Sequence, residues 1–177
     1  MMSKTNRFDE QLPETEMKIK KHVIEALVED QPGVLQRIAG MFAKRGFNID
    51  TITVGKTMRA GISKMIIVVV GDDTTLEKVI KQMNKLLVTY KVDDIPEKDA
   101  IVRELCLLKI SLSKQSAKNE ILNYAKVYKT KVVNINQKSA TIEIIGTPDK
   151  IEAFISLMKV FGITDISRTG VTAISRR

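Results

Sequence analysis

Apolar residues recur along this chain in two different periods, and the two periods alternate in a regular order. Runs rich in valine and isoleucine predict strands at residues 22–29, 47–55, 63–71 and 88–95. Apolar residues spaced three and four apart predict a helix at residues 33–45, which Gly46 ends. A second helix follows Thr74 and Glu77, which are spaced as a capping box. The predicted order is therefore βαββαβ.

The same order repeats in the second half of the chain. Strands are predicted at residues 103–112, 131–136, 140–145 and 163–175. Helices are predicted at residues 116–129 and after Thr147-Pro148, where a capping threonine precedes a first-turn proline. The fold class is therefore α+β, with two consecutive ferredoxin-like βαββαβ sandwiches. The predicted division is a polar tail (1–20), a first domain (21–95), a charged linker (96–102) and a second domain (103–177).

One strand suggests that the first sheet is covered on both faces. Met65–Val70 is apolar at every position, whereas a sheet face that meets water alternates with polar residues. The second domain, a second copy of the chain or another protein would each cover it. We therefore expect an oligomer.

The net charge of +8 lies mainly in residues 96–177, which hold 14 basic and 8 acidic side chains. The lysines there are scattered along predicted helices, which favours a solvated surface over a nucleic-acid interface. RNA-binding domains of this topology also stack bases on exposed aromatic residues. Aromatic residues make up only 5% of this chain and tryptophan is absent, so no nucleic-acid partner is predicted.

The chain offers little chemistry for catalysis or metal binding. His22 has no nucleophile to activate in its motif, and no Cys/His cluster has zinc spacing. The acidic pairs Asp72-Asp73 and Asp93-Asp94 are typical of turns. Cys106 lies in an apolar run and predicts a buried hydrophobe without a disulfide, as in a reducing cytoplasm. With no signal-peptide core and no long apolar run, we predict a cytoplasmic protein without catalytic, metal or membrane sites.

The turn Asp30-Gln31-Pro32-Gly33 is the strongest candidate for a ligand site. Free N–H groups at a helix start, with the helix dipole, favour a carboxylate, and Asp30 would accept hydrogen bonds from an ammonium. Asn48 begins the next strand and has both a donor and an acceptor. Together they predict a receptor for a free amino acid. The alternative is an ordinary cap and tight turn, with Asn48 as a turn residue.

Four segments carry a specific family resemblance. They are HVIEALVEDQPGVLQRIAGMFAKRGFNIDTITVG, SKMIIVVVGDD, QMNKLLVTYKV and ISRTGVTAISR. They resemble the small, regulatory subunit of acetolactate synthase (acetohydroxyacid synthase) from about His22 to Arg177, and the first unit resembles an ACT domain. The RGFNI and terminal RTG segments are more diagnostic than the Pro-Gly turn, which many ACT domains share.

The resemblance implies a regulatory subunit without an active site. In the family, a large subunit carries thiamine diphosphate, magnesium and FAD and is a transferase that condenses two pyruvates, or pyruvate with 2-oxobutyrate. The small subunit activates it and confers feedback inhibition by valine, often also by leucine or isoleucine, in branched-chain amino acid biosynthesis. The effector lies at an ACT–ACT homodimer interface. The matching effector-binding positions are Asp30, Gly33, Val34, Asn48 and Ile49, the last two from the partner chain.

Two points stay open at the level of sequence. Many family members have asparagine at the position of Asp30; an aspartate would bind an ammonium by a charge-assisted bond but would repel the ligand's carboxylate. The Arg168–Gly170 segment would contact either the large subunit or the first domain. The alternative function is a free-standing ACT-type amino-acid sensor that regulates another protein or transcription.

Overall fold

The computed structural model describes residues 19–112 and 115–176. The strands are β1 (Lys20–Glu29), β2 (Ile49–Lys56), β3 (Ile62–Gly71), β4 (Thr89–Asp94), β5 (Ala100–Ser111), β6 (Lys131–Ile135), β7 (Ser139–Gly146), β8 (Ile163–Arg168) and β9 (Thr172–Ser175). The helices are α1 (Val34–Lys44), α2 (Asp73–Met83), α3 (Gln115–Val127) and α4 (Pro148–Met158), with short 3₁₀ turns at Glu97–Asp99 and Lys159–Phe161.

Both predicted sandwiches are present, so the predicted fold class is confirmed. The first sheet has the order β2–β3–β1–β4 and the second β6–β7–β5–β8, and all pairs are antiparallel. Strand β5 begins at Ala100, inside the segment predicted as a linker. The proposed domain bounds stay a prediction, and residues 1–18 of the predicted tail lie outside the described residues.

Each sandwich has its own core between its sheet and its helices. The first core contains alternate residues of β1 and β3 with the inner faces of α1 and α2, including Ile24, Phe42 and Ile67. The second core contains Cys106 and Phe154, which are fully buried. The prediction that Cys106 is a buried, unpaired cysteine is confirmed.

A third apolar cluster covers the open face of the first sheet. Strand β5 is 12 residues long, and its first four residues pair with β9 to form a ribbon. This ribbon, with the residues just before β9, packs Ala100, Val171 and Ala173 against Ile66 and Val68. The apolar pattern of β3 has its explanation within one chain. This pattern therefore does not support the oligomer that the sequence analysis inferred from it.

The segment before β9 lies against the first domain, which was one of its two predicted contacts. Thr53 Oγ1 donates a 2.8 Å hydrogen bond to the carbonyl oxygen of Val171. Gly170 has a φ of 77°, and a Cβ there would lie 2.9 Å from the Cβ of Thr51. Only glycine fits both this backbone conformation and this close approach without strain.

The helix starts differ in part from the prediction. The predicted capping box of Thr74 and Glu77 is wrong, because Asp72 is the N-cap of α2 and accepts a 2.8 Å bond from the N–H of Thr75. Pro148 occupies the first turn of α4 as predicted, but Thr147 makes no side-chain capping bond. Helix α1 begins at Val34 and not at Gly33, which is its N-cap.

Candidate functional site

The turn between β1 and α1 holds Asp30 in a defined position. The Asp30 N–H donates to the carbonyl oxygen of Gly61 at 2.9 Å, and Asp30 Oδ1 accepts from Ser63 Oγ at 3.1 Å. Ser63 is buried, whereas Asp30 is exposed. Within the described residues, Asp30 Oδ2 makes no hydrogen bond or ion pair. One oxygen therefore anchors the carboxylate, and the other is free for a cationic group.

The start of α1 beside Asp30 is open to an anion. Gly33 is the N-cap in the left-handed region, with a φ of 85°, and no side chain caps the helix. The Val34 N–H makes only a long bond, 3.4 Å to the carbonyl oxygen of Gln31. The first N–H groups of a helix carry partial positive charge and need acceptors. A carboxylate ligand would supply them next to the Asp30 carboxylate.

The other two predicted site residues lie at the opposite end of the same helix. Helix α1 has 11 residues, which makes it roughly 16 Å long at 1.5 Å per residue. Asn48 follows its C-terminal end and is exposed, and Ile49 begins β2 and packs partly against the first core. One chain therefore brings Asp30, Gly33 and Val34 together, but leaves Asn48 and Ile49 too far away to touch the same small ligand.

Sequence reasoning missed Ser63, which positions Asp30. In the first sheet, β1 and β3 pair so that Val28 lies opposite Ser63. A serine at the start of an otherwise apolar strand, opposite the end of the strand that leads to Asp30, is placed to reach that carboxylate. Recognising it required the register of two strands more than 30 residues apart.

Arg168, Cys106 and His22, which the sequence analysis singled out, have structural roles. Buried Glu104 accepts two bonds from Arg168, whose Nη1 also donates to Glu152 Oε2 at 3.0 Å. These carboxylates raise the pKa of the Arg168 guanidinium still further, first through the hydrogen bonds of Glu104. Burial raises the pKa of the Cys106 thiol, which keeps it protonated and unreactive. His22 is buried, with Nε2 3.1 Å from the carbonyl oxygen of Gly71.

Across residues 19–112 and 115–176, no group of three or more His, Cys, Asp or Glu side chains has the geometry of a metal site. No helix in that same part of the chain is long and apolar enough to cross a membrane.

The fold and the open turn define the first unit as an ACT domain, and comparison with known proteins gives the family. Residues 24–91 match a family model described as an AHAS small subunit-like ACT domain, and residues 103–177 match one described as the small subunit of acetolactate synthase. The chain belongs to the family of acetolactate synthase small subunits, as the sequence resemblance predicted.

Individual relatives agree over most of the chain. A probable acetolactate synthase small subunit of Methanothermobacter thermautotrophicus is 44% identical over 91% of this chain and 96% of its own. The small subunit of Aquifex aeolicus is 41% identical over 89% of this chain and 82% of its own. The crystal structure of the small subunit from Thermotoga maritima superimposes with a TM-score of 0.83 at 37% identity, covering 89% of this chain and 98% of that one.

Proposed function

We propose that this chain is the subunit through which an acetolactate synthase is activated and inhibited by valine in branched-chain amino acid biosynthesis. The chain binds the large catalytic subunit, which carries the thiamine diphosphate, magnesium and FAD and performs the condensation. Its own contribution is an effector site, for valine first and for leucine or isoleucine as close analogues. The observation that carries the proposal is the exposed Asp30 carboxylate, held by Ser63 beside the uncapped start of α1.

Two chains complete the site by pairing their ACT domains. The separation of Asp30 from Asn48 along α1 requires a second chain if both are to touch one amino acid. Strand β2 is an edge strand, and Val54 on it is half exposed. On the neighbouring side of α1, Leu35, Ala39 and Ala43 form an exposed apolar stripe at four-residue spacing. An edge strand beside an apolar helix stripe suits a symmetric interface with a second copy.

In this dimer, each ligand group has a partner. The effector's carboxylate accepts hydrogen bonds from the N–H groups at Gly33 and Val34, where the helix dipole favours it. Its ammonium donates to Asp30 Oδ2 and to the partner's Asn48, and its isopropyl group packs on the partner's Ile49. Because each ligand joins two chains, binding shifts the population of dimer arrangements that the catalytic subunit detects.

Calorimetric titration of the purified chain with L-valine, L-leucine, L-isoleucine and D-valine tests the proposal. We expect saturable, stereospecific binding of L-valine at about one site per chain, since a twofold dimer has two equivalent sites. Asp30→Ala abolishes this binding, and Ser63→Ala weakens it because the carboxylate loses its anchor. Asp149→Ala is the matched control, because Asp149 is also an exposed aspartate near the start of a helix. Full valine binding by Asp30→Ala would show that the site is elsewhere.

Co-purification separates this function from a free-standing amino-acid sensor. The tagged chain should retain a thiamine-diphosphate enzyme from a lysate of its own organism, and valine should inhibit the retained activity. A chain that binds valine but never retains such an enzyme would be a sensor for another system.

A further inference from the structure

A basic cleft on the helical side of the first domain has no role in the effector site. It has a volume of about 880 Å³ and lies between one side of α1 and the loop that joins α2 to β4. Its lining includes Arg37, Lys44, Arg45 and Lys85, and no acidic residue contributes to it. None of these four side chains makes an ion pair anywhere in residues 19–112 or 115–176. Like charges gathered without counter-charges leave a positive field that attracts an acidic partner.

Apolar residues also line this basic cleft. Met41, Leu86 and Val88 line it, and Leu87 projects beside them with 96% of its surface exposed. Hydrogen bonds from Leu86 N–H to Met83 and from Thr89 N–H to Leu86 fix the loop on both sides of Leu87. An exposed leucine among basic side chains has the composition of a protein interface, which combines apolar contact residues with polar ones.

Local helix electrostatics explain only part of this arrangement. Lys44 and Lys85 lie at the C-terminal ends of α1 and α2, where cations stabilise the helix dipole. Arg37 lies in the first half of α1 and gains nothing from the helix dipole. The dipole does not account for the exposure of Leu87 either. The same helix ends argue against a free phosphate or nucleotide, because both present their partially negative carbonyl ends near the cleft and supply no N–H cradle.

We propose that this basic cleft is the docking surface for an acidic segment of the catalytic subunit, with carboxylates that meet the four cations and an apolar side chain that covers Leu87. The inference rests on the proposed function for the identity of the partner. Charge complementarity of this kind selects the partner and speeds association, and burial of Leu87 slows dissociation.

The position of the basic cleft gives a physical path between effector and enzyme. Arg37 and Lys44 lie about 150° around the axis of α1 from Ala39, which is in the stripe assigned to the ACT–ACT interface. Both surfaces can therefore be occupied together. The N-terminus of α1 holds the effector and the side of α1 from Arg37 to Lys44 meets the catalytic subunit, so a movement of this one helix changes both contacts.

Binding to the purified catalytic subunit of the same organism, measured by surface plasmon resonance, tests the inference. The variants are Arg37→Glu/Lys44→Glu and Leu87→Ser. The control is Lys126→Glu/Lys138→Glu, which reverses two exposed lysines of the second domain. We expect the first variant to lose at least about tenfold in affinity, mainly in the association rate, and to lose most of the salt dependence of binding. Leu87→Ser dissociates faster without a lower melting temperature, because the side chain is already exposed.

The outcomes separate the inference from the proposed function. Valine binding by calorimetry stays at the wild-type level in both variants if the cleft is separate from the effector site. Equal binding of wild type, both variants and the control to the catalytic subunit would overturn the inference alone. The inference would also be overturned if inorganic phosphate weakened binding to the catalytic subunit more than sodium chloride does at equal ionic strength. That result would indicate a small-anion site. A wild-type chain that does not bind the catalytic subunit would overturn the inference together with the proposed function.

Discussion

The two βαββαβ units have the same topology but differ in the sheet face turned away from their helices. In the first unit, Ile66 and Val68 on that face are buried under the ribbon of β5 and β9. In the second unit, the corresponding face carries Lys109, which lies opposite Thr141 on one side and Asp165 on the other. The first sheet's face is covered by its own chain, whereas the second sheet's face is exposed and mixes polar residues with apolar ones such as Leu107. The polarity of alternate strand residues, and not the topology, therefore sets what a unit of this fold packs against.

The difference between the two sheet faces predicts the largest contrast in stability. Ile66→Ala should lower the free energy of unfolding by about 3–4 kcal/mol, because it leaves a cavity under the ribbon. Leu107→Ala is the matched change on the second sheet's open face, where the side chain is 37% exposed, and should cost about 1 kcal/mol. Urea denaturation followed by circular dichroism measures both. Equal losses would mean that the two faces are packed alike.

The ion pairs of the two units predict the next contrast. Arg168→Ala leaves the Glu104 carboxylate without a counter-charge, although its side chain is only 3% exposed. The substitution should lower the free energy of unfolding by about 3 kcal/mol. Lys64→Ala removes the partner of Glu25 in the first unit, where that carboxylate is 19% exposed, and should cost about 1 kcal/mol because water reaches it. Denaturant titration of both variants checks the order. A larger loss for Lys64→Ala would contradict the assignment of Arg168 as the main counter-charge of a buried acid.

The junction between the units depends on Gly170. Gly170→Ala should cost about 2 kcal/mol, from the left-handed backbone conformation and from the clash with Thr51. Gly61 has the same φ of 77° but open space around it, so Gly61→Ala should cost only about 1 kcal/mol. The difference between their denaturation midpoints isolates the contact between the domains. Identical midpoints would mean that the close approach of residue 170 to Thr51 adds nothing to the cost of the substitution.

The helix starts give the smallest contrast. Asp72 caps α2 with its side chain, whereas Thr147 at the equivalent position of α4 makes no such bond. Asp72→Ala should therefore lower the melting temperature, and Thr147→Ala should leave it nearly unchanged. The bonds from Thr75 lower the pKa of Asp72 below its ordinary value of 3.8. The stabilisation by the Asp72 cap is thus complete above the ordinary pKa and is lost as pH falls through the lower pKa of the folded state. Asp72→Asn keeps a cap that does not titrate, so it should remove this pH dependence.

The sequence predicted what depends on local period and composition. The order of strands and helices, the repeat, the burial of Cys106 and the turn at Asp30 all follow from residues close together in the chain. The pairing of β9 with the start of β5 and the bond from Ser63 to Asp30 do not, because they join residues separated by 69 to 75 positions and by 33 positions, respectively. Asp72 is the N-cap in place of Thr74 because the helix starts two residues earlier than the predicted capping box indicated.

A mixing experiment tests most directly the claim that two chains share each effector site. Asp30→Ala and Asn48→Ala should each abolish L-valine binding when alone. If the chains are unfolded and refolded together in equal amounts, a mixed dimer has one site with both native residues and one with neither. Calorimetry should then recover about a quarter of the wild-type number of sites, since half of the dimers are mixed and each has one intact site. No recovery on mixing, with each variant folded and dimeric, would contradict a site shared between two ACT domains.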